Sequence, residues 1–230
     1  MTDTRASTAS LDFVRGTVRI AVIAGLPGRK LASHPSVEAA PTALQQRAEQ
    51  MADALGIDTV DLLVWDHDVP NALPFGDRSG GTLVLTTGLV DLLDEAELDA
   101  AMMHELGHVR HGHGRRFGTV LVAVLAIVGV CAHRARGRGG RAWLSTVLVA
   151  GVCTLLSLAV IRRYELEADR AACRRLEDPE ALARAIVAVR AGSGDVDLAA
   201  YDPPRASRVE RLFLVYPHPA DRFPQLFGEE

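Results

Sequence analysis

His104, Glu105 and His108 form a His-Glu-x-x-His run. On a helix, positions i and i+4 share a face, so both imidazoles can reach one metal ion while Glu105 reaches water beside it. Imidazole suits zinc, and a hydrolytic zinc needs a third protein ligand and one open position. The run therefore points to metal-assisted hydrolysis with Glu105 as the base; two surface histidines on a helix are the plain alternative.

The third ligand narrows the class. A histidine supplied two turns further on requires Gly at 111 and His at 114, but the chain has His111 and Gly114, which excludes that pattern. The alternative donor is a glutamate on a later helix, and Arg163-Tyr164-Glu165-Leu166-Glu167-Ala168-Asp169 supplies one. Glu165 and Asp169 share a helical face and Glu167 points away. Glu165 is expected to ligate the metal, and Asp169 to accept a hydrogen bond from a ligand histidine and fix its tautomer. Taken alone, the same stretch reads as a solvated helix with Glu–Arg pairs. His111 and His113 are expected to complement the C-terminal end of the helix dipole rather than bind metal.

These residues need elements to hold them. A helix is expected over 41–55, where Pro41 suits the first turn and Gly56 the stop. Strands are expected over 60–65 and 82–86, with a turn at 66–70. The helix carrying His104 begins near Asp94–Glu95, acidic as its dipole prefers, and ends at Gly112 or Gly114. Two uncharged runs follow, 117–133 and 142–161, and the second is long enough to cross about 30 Å of hydrocarbon as a helix. Arg115, Arg116, Arg134, Arg141, Arg162 and Arg163 bracket them, placed to snorkel toward head groups. The alternative is a helical hairpin buried in a soluble domain or oligomer. Helices over 162–176 and 179–190 follow, then loops near 192–194 and 203–204.

The ligands constrain the runs. The histidines precede them and Glu165 follows, so a single crossing would separate the donors by a bilayer. Both runs cross, or neither does. Arginines outside the hairpin (Arg110, Arg115, Arg116, Arg162, Arg163, Arg170, Arg174, Arg175) outnumber the four in its loop (Arg134, Arg136, Arg138, Arg141), which favours a cytoplasmic site.

Composition adds exclusions. The net charge of −4 offers no basic field for nucleic acid. Three cysteines without a Cys-x-x-Cys argue against a disulfide framework and against a thiolate zinc site. The N-terminus carries no convincing signal peptide, which makes a cytoplasm-facing protein the default.

The sequence resembles the membrane-integrated gluzincin metalloproteases, the HtpX-like and CAAX prenyl protease-like zinc endopeptidases. The likeness rests on Leu55-Gly56-Ile57, Asn71-Ala72, Thr86-Thr87-Gly88-Leu89-Val90-Asp91-Leu92-Leu93, the stretch from His104-Glu105-Leu106-Gly107-His108 to His113, and Glu165-Leu166-Glu167-Ala168-Asp169. The resemblance implies His104, His108 and Glu165 as ligands of one Zn2+ per chain, Glu105 as catalytic base, and a cytoplasm-facing site. It implies for His218, in Pro217-His218-Pro219, a polar contact to the reacting carbonyl, against a plain turn histidine. It implies for Asn71 a hold on the substrate or on an active-site strand, against an ordinary loop residue. Arg222 comes early after the His-Pro element, and the N-terminal membrane helices of HtpX have no counterpart.

The expected fold is α+β and mainly helical. A zincin-like domain with a small β-sheet is interrupted by a transmembrane helical hairpin. Residues 1–40 form an N-terminal segment of unassigned role, 41–116 the first part of the catalytic domain, 117–161 the hairpin and 162–230 the second part. The expected function is a multi-pass cell-membrane endopeptidase acting on unfolded or membrane-associated proteins. Its partners are a peptide substrate and membrane lipid but no nucleic acid, and its oligomeric state is left open. Substrate is expected to add as a strand to the edge of the sheet, at 82–86. The alternative is a non-catalytic zinc-site membrane sensor or scaffold, against which the intact Glu105 argues.

Overall fold

A computed structural model describes residues 34–192, 194, 197, 198, 216, 217 and 219–223. Residues 1–33, the loop at 203–204 and His218 lie outside the described residues. In chain order the elements are β1 Val37–Ala39, α1 Thr42–Leu55, β2 Val60–Trp65, β3 Ala72–Asp77, β4 Gly80–Thr86, α2 Thr87–Leu92, α3 Glu95–His111, α4 His113–Ala135, α5 Gly140–Cys173, α6 Glu180–Ala191 and the short α7 Pro219–Arg222. The fold is mainly helical with one small mixed sheet, as the sequence led us to expect.

The sheet has the order β1-β2-β4-β3, with β2 and β4 parallel and the outer pairs antiparallel. Side chains alternate across it. Val60, Leu62, Leu83 and Leu85 join the main core with α1, α3 and α6, whereas Trp65 and Val84 join Val37 on the opposite face. This topology corrects one expectation. Residues 82–86 lie in β4, an interior strand paired on both sides, and among the described residues the free edge beside the cleft belongs to β3. Strand β3 was not anticipated because Pro74 and Gly76 interrupt it, and a proline is tolerated there because β3 lies at an edge. The three-residue β1 and the six-residue α2 were also not anticipated.

Local chemistry sets the helix that carries the histidines. Asp94 caps α3 by accepting from the Glu97 amide at 2.8 Å, and Glu97 returns the contact to the Asp94 amide at 3.2 Å. This reciprocal box satisfies two amides that a helix start leaves open. Gly112 ends α3 in the left-handed region, φ 61°, and the next residue already begins α4. At the start of α1, Pro41 takes the N-cap position rather than the first helical one. Arg47 of α1 pairs with Asp99, and with Glu95 at 3.0 Å, tying α1 to α3.

Helices α4 and α5 form an antiparallel hairpin, and each is long and apolar enough to cross a bilayer. Almost none of the residues in their apolar stretches is fully buried: Val122 is 67% exposed, Val147 64% and Leu156 62%. An exposed apolar surface of this extent marks a contact with lipid or another apolar partner, which disfavours the buried hairpin of a soluble domain. The helix expected over 162–176 is not a separate element. It continues the second apolar run as the lower part of the 34-residue α5.

The hairpin returns the chain to α3 at one tight point. A Cβ built on Gly107 would lie 3.2 Å from Ala168 Cα and 3.3 Å from Ala168 O. Only glycine lets the two backbones come this close without displacement. Gly107→Val should therefore destabilise the fold by about 1–3 kcal/mol, read as a lower thermal midpoint in detergent. Gly114→Ala, where an added Cβ meets nothing within 4 Å, should leave the midpoint unchanged or slightly raised. Equal midpoints for Gly107→Val and wild type would contradict the contact.

Candidate active site

The Gly107–Ala168 contact brings one face of α3 against one face of α5. His104 and His108 come from α3 and Glu165 from α5. His104 Nε2 lies 3.1 Å from His108 Nε2, and each of these nitrogens lies 3.6 Å from an oxygen of Glu165. Donors about 2.0–2.1 Å from a tetrahedral zinc lie about 3.3 Å from one another. His104 faces Oε2 and His108 faces Oε1, and one donor atom from each of the three residues lies within 4.8 Å of the other two, close enough to converge on a single ion. Two imidazoles and a carboxylate are also the donor set that zinc takes in hydrolytic sites. The residues fit the metal.

Each candidate ligand histidine is held from behind by its other nitrogen. His104 Nδ1 is 2.9 Å from Asp169 Oδ1, though out of line for a straight hydrogen bond. Asp169 is held in turn by Arg222, whose Nε donates at 2.8 Å and Nη2 at 2.5 Å. The same Nη2 is 3.8 Å from Glu165 Oε2, so one buried guanidinium balances both carboxylates. His108 Nδ1 lies 3.0 Å from His113 Nδ1. His113, expected to serve the helix dipole, instead turns inward and contacts Glu167 at 3.3 Å. His111 does sit at the helix end, its Nδ1 2.8 Å from the Gly107 carbonyl.

Glu105 lies beside the triangle in the wall of a cleft of about 430 Å3. Asn71, Ala72, His104, Glu165, Tyr216 and Arg222 contribute to the same wall, and Leu182, Ile186 and Val189 of α6 make its apolar side. Asn71 sits just before β3, where its amide donates to Thr86 Oγ1 at 2.8 Å, and its side-chain oxygen accepts from the Ala72 amide at 2.9 Å. Thr86 is also the N-cap of α2. His104, Glu105, Glu165 and Asn71 line one cleft, with Asp169 behind His104 and His108 beside Glu165; His218 lies outside the described residues.

Arg222 and His113 were not among the candidates read from the sequence. Arg222 could have been found from the two acids it faces, since a buried guanidinium must be paired, but its burial shows only in three dimensions. His113 carried a local signal: it follows the helix-ending Gly112, so its side chain can turn back toward His108.

Electrostatics separate the groups in the metal-free site. Burial pushes the Glu105 carboxyl up to about 7, with Glu165 and Asp169 adding to the shift against the opposing His104 charge. Burial opposes the charge on His104, but the carboxylates of Asp169 and Glu165 outweigh it and raise the group to about 10. Burial and the His104 charge lower His108 to about 3. His108 is thus neutral at neutral pH, whereas His104 holds a proton that a metal must displace. From pH 8 to 9, where Glu105 is already ionised and His104 is still protonated, zinc binding should release about one proton. The affinity should rise about tenfold per pH unit. Calorimetry in buffers of different ionisation enthalpy would measure this, and a pH-independent affinity would contradict it.

The family model for Peptidase family M48 matches residues 38–226. A protease HtpX homolog from Acidiphilium cryptum is 32% identical over 211 residues, covering 85% of this chain and 72% of that protein. Another from Halobacterium salinarum is 31% identical over 157 residues, covering 65% of this chain and 54% of that protein. Among solved structures, S. mikatae Ste24p is similar with a TM-score of 0.59 at 17% identity, over 91% of this chain and 55% of that one. At that identity the likeness speaks for the fold alone.

Proposed function

We infer, for a chain that belongs to the M48 peptidase family, that it is a zinc-dependent endopeptidase held in a membrane by its helical hairpin. Membership assigns the reaction class, metal-dependent hydrolysis of peptide bonds. The observation that carries the finer reading is the triangle of His104 Nε2, His108 Nε2 and a Glu165 oxygen, opening onto a cleft that also holds Glu105.

His104, His108 and Glu165 would hold the zinc, which when bound supplies a Lewis acid for the scissile carbonyl and acidifies water. Glu105 takes the proton of the attacking water and later delivers it to the leaving amine. Asp169 and Arg222 keep the His104 ring oriented. The substrate is an extended peptide that adds to the free edge of β3, with Asn71 and Ala72 at the end of that edge nearest the cleft. Recognition through backbone hydrogen bonds tolerates many sequences, which suits unfolded or membrane-associated protein substrates.

The exposed faces of α4 and α5 enter the bilayer. Two crossings return Glu165 to the side of His104 and His108. The arginines flanking the hairpin on that side outnumber those of its loop, which supports a cytoplasmic site.

Glu105→Gln should retain zinc and lower cleavage of an unfolded protein by about 10²–10⁴-fold, measured on purified protein in detergent. Cleavage by the variant at the wild-type rate would overturn the assignment of the base.

A further inference from the structure

His113 is nearly fully buried at 3% exposure, yet the hydrolytic chemistry does not use it. Its Nδ1 faces His108 Nδ1 at 3.0 Å. Two ring nitrogens can share a hydrogen bond only if one bears the proton and the other a lone pair. His108 Nε2 points into the donor triangle, so a cation there takes its lone pair and leaves the proton on Nδ1. His108 Nδ1 then donates to His113 Nδ1. The single proton of His113 sits on Nε2 and donates to Glu167 Oε2 at 3.3 Å. Glu167 is anchored in turn by Arg163 Nε at 2.9 Å. This tautomer assignment satisfies every contact in the chain; the reverse would aim a proton from His108 at the cation.

The ring is also fixed in plane. It stacks on Tyr164 with centroids 4.2 Å apart and planes within 10°, and on His111 at 5.2 Å and 14°. The backbone of Gly112, at φ 61°, makes the turn that carries residue 113 back to residue 108. The surroundings of His113 come from both stems of the hairpin: His113 opens α4, while Arg163, Tyr164 and Glu167 lie on α5 just past its apolar run.

We propose that His113 is a positioning residue for the second metal ligand, a relay that fixes the His108 ring through Nδ1 and ties it to Glu167 at the root of the hairpin. The proposal rests on the reading that His104, His108 and Glu165 hold zinc. An acceptor behind a ligand imidazole raises its basicity and sets its orientation, and losing such an acceptor weakens metal binding about 10–100-fold. By this route the packing of the two hairpin stems bears directly on the strength of the metal site.

Two polar replacements separate positioning from packing. Asparagine places an oxygen where Nδ1 stood and keeps the acceptor for His108. Glutamine reaches toward Glu167 but leaves His108 without its partner. Zinc affinity of the full chain in detergent, measured by competition with a chelator, should fall no more than about threefold in His113→Asn. It should fall about 10–100-fold in His113→Gln and His113→Leu. With cobalt in place of zinc, the visible ligand-field bands of His113→Asn should match wild type, and those of His113→Leu should shift. Equal affinities for all three variants, whether all strong or all weak, would overturn the proposal, as would His113→Gln binding more tightly than His113→Asn. His104→Ala marks the background. If wild type binds zinc no better than this variant, the underlying zinc reading fails as well. If wild type binds well and His113→Leu does too, only the role of His113 fails.

Discussion

The backbones of α3 and α5 meet at Gly107 and Ala168, and this contact sets the distance between the two histidines and the glutamate. Larger side chains at this contact would push the two helices apart and carry the Glu165 carboxylate away from both histidines. The residues around the contact follow from it. The three carboxyl groups of Glu105, Glu165 and Asp169 crowd this space and repel one another when ionised unless cations join them. Arg222 supplies one compensating charge, and the site has the geometry to take a second as zinc. The high proton affinity of His104 in the metal-free state expresses the same excess of negative charge.

The hairpin is inserted between the two halves of this contact. A chain that leaves α3 and returns as α5 must come back to the side it left, so the loop between them either stays out of the bilayer or crosses it twice. The exposed valines and leucines of both helices favour two crossings. The rigid stem of α5, continuous from the apolar run to Cys173, carries Glu165, Glu167 and Asp169 on one piece of backbone. In the proposed reading, insertion of the hairpin and assembly of the donor set would therefore be linked.

What was legible in the sequence was what local chemistry decides. The four-residue spacings of His104 with His108 and of Glu165 with Asp169, the acidic start of α3 at Asp94 and the glycine stops at Gly56 and Gly112 all declare themselves within one or two helical turns. The apolar runs were equally plain. Strand β3 was hidden because Pro74 and Gly76 break the usual strand signal, and only its outer place in the sheet makes them tolerable. The parallel pairing of β2 with β4 then left β3, not β4, at the edge beside the cleft, a fact of topology that no local pattern carries. The place of Arg222 depends on a contact across 53 residues of chain to Asp169, and the pairing of His113 with Glu167 on one across 54.

X-ray absorption at the zinc edge on the purified chain tests the central claim most directly. Two imidazole nitrogens and one carboxylate oxygen at about 2.0–2.2 Å, with no sulfur, are predicted for the wild type. In Glu165→Ala the carboxylate shell should vanish or the metal be lost. A wild-type protein that purifies from zinc-supplemented medium without the metal, or a first shell containing sulfur, would contradict the account.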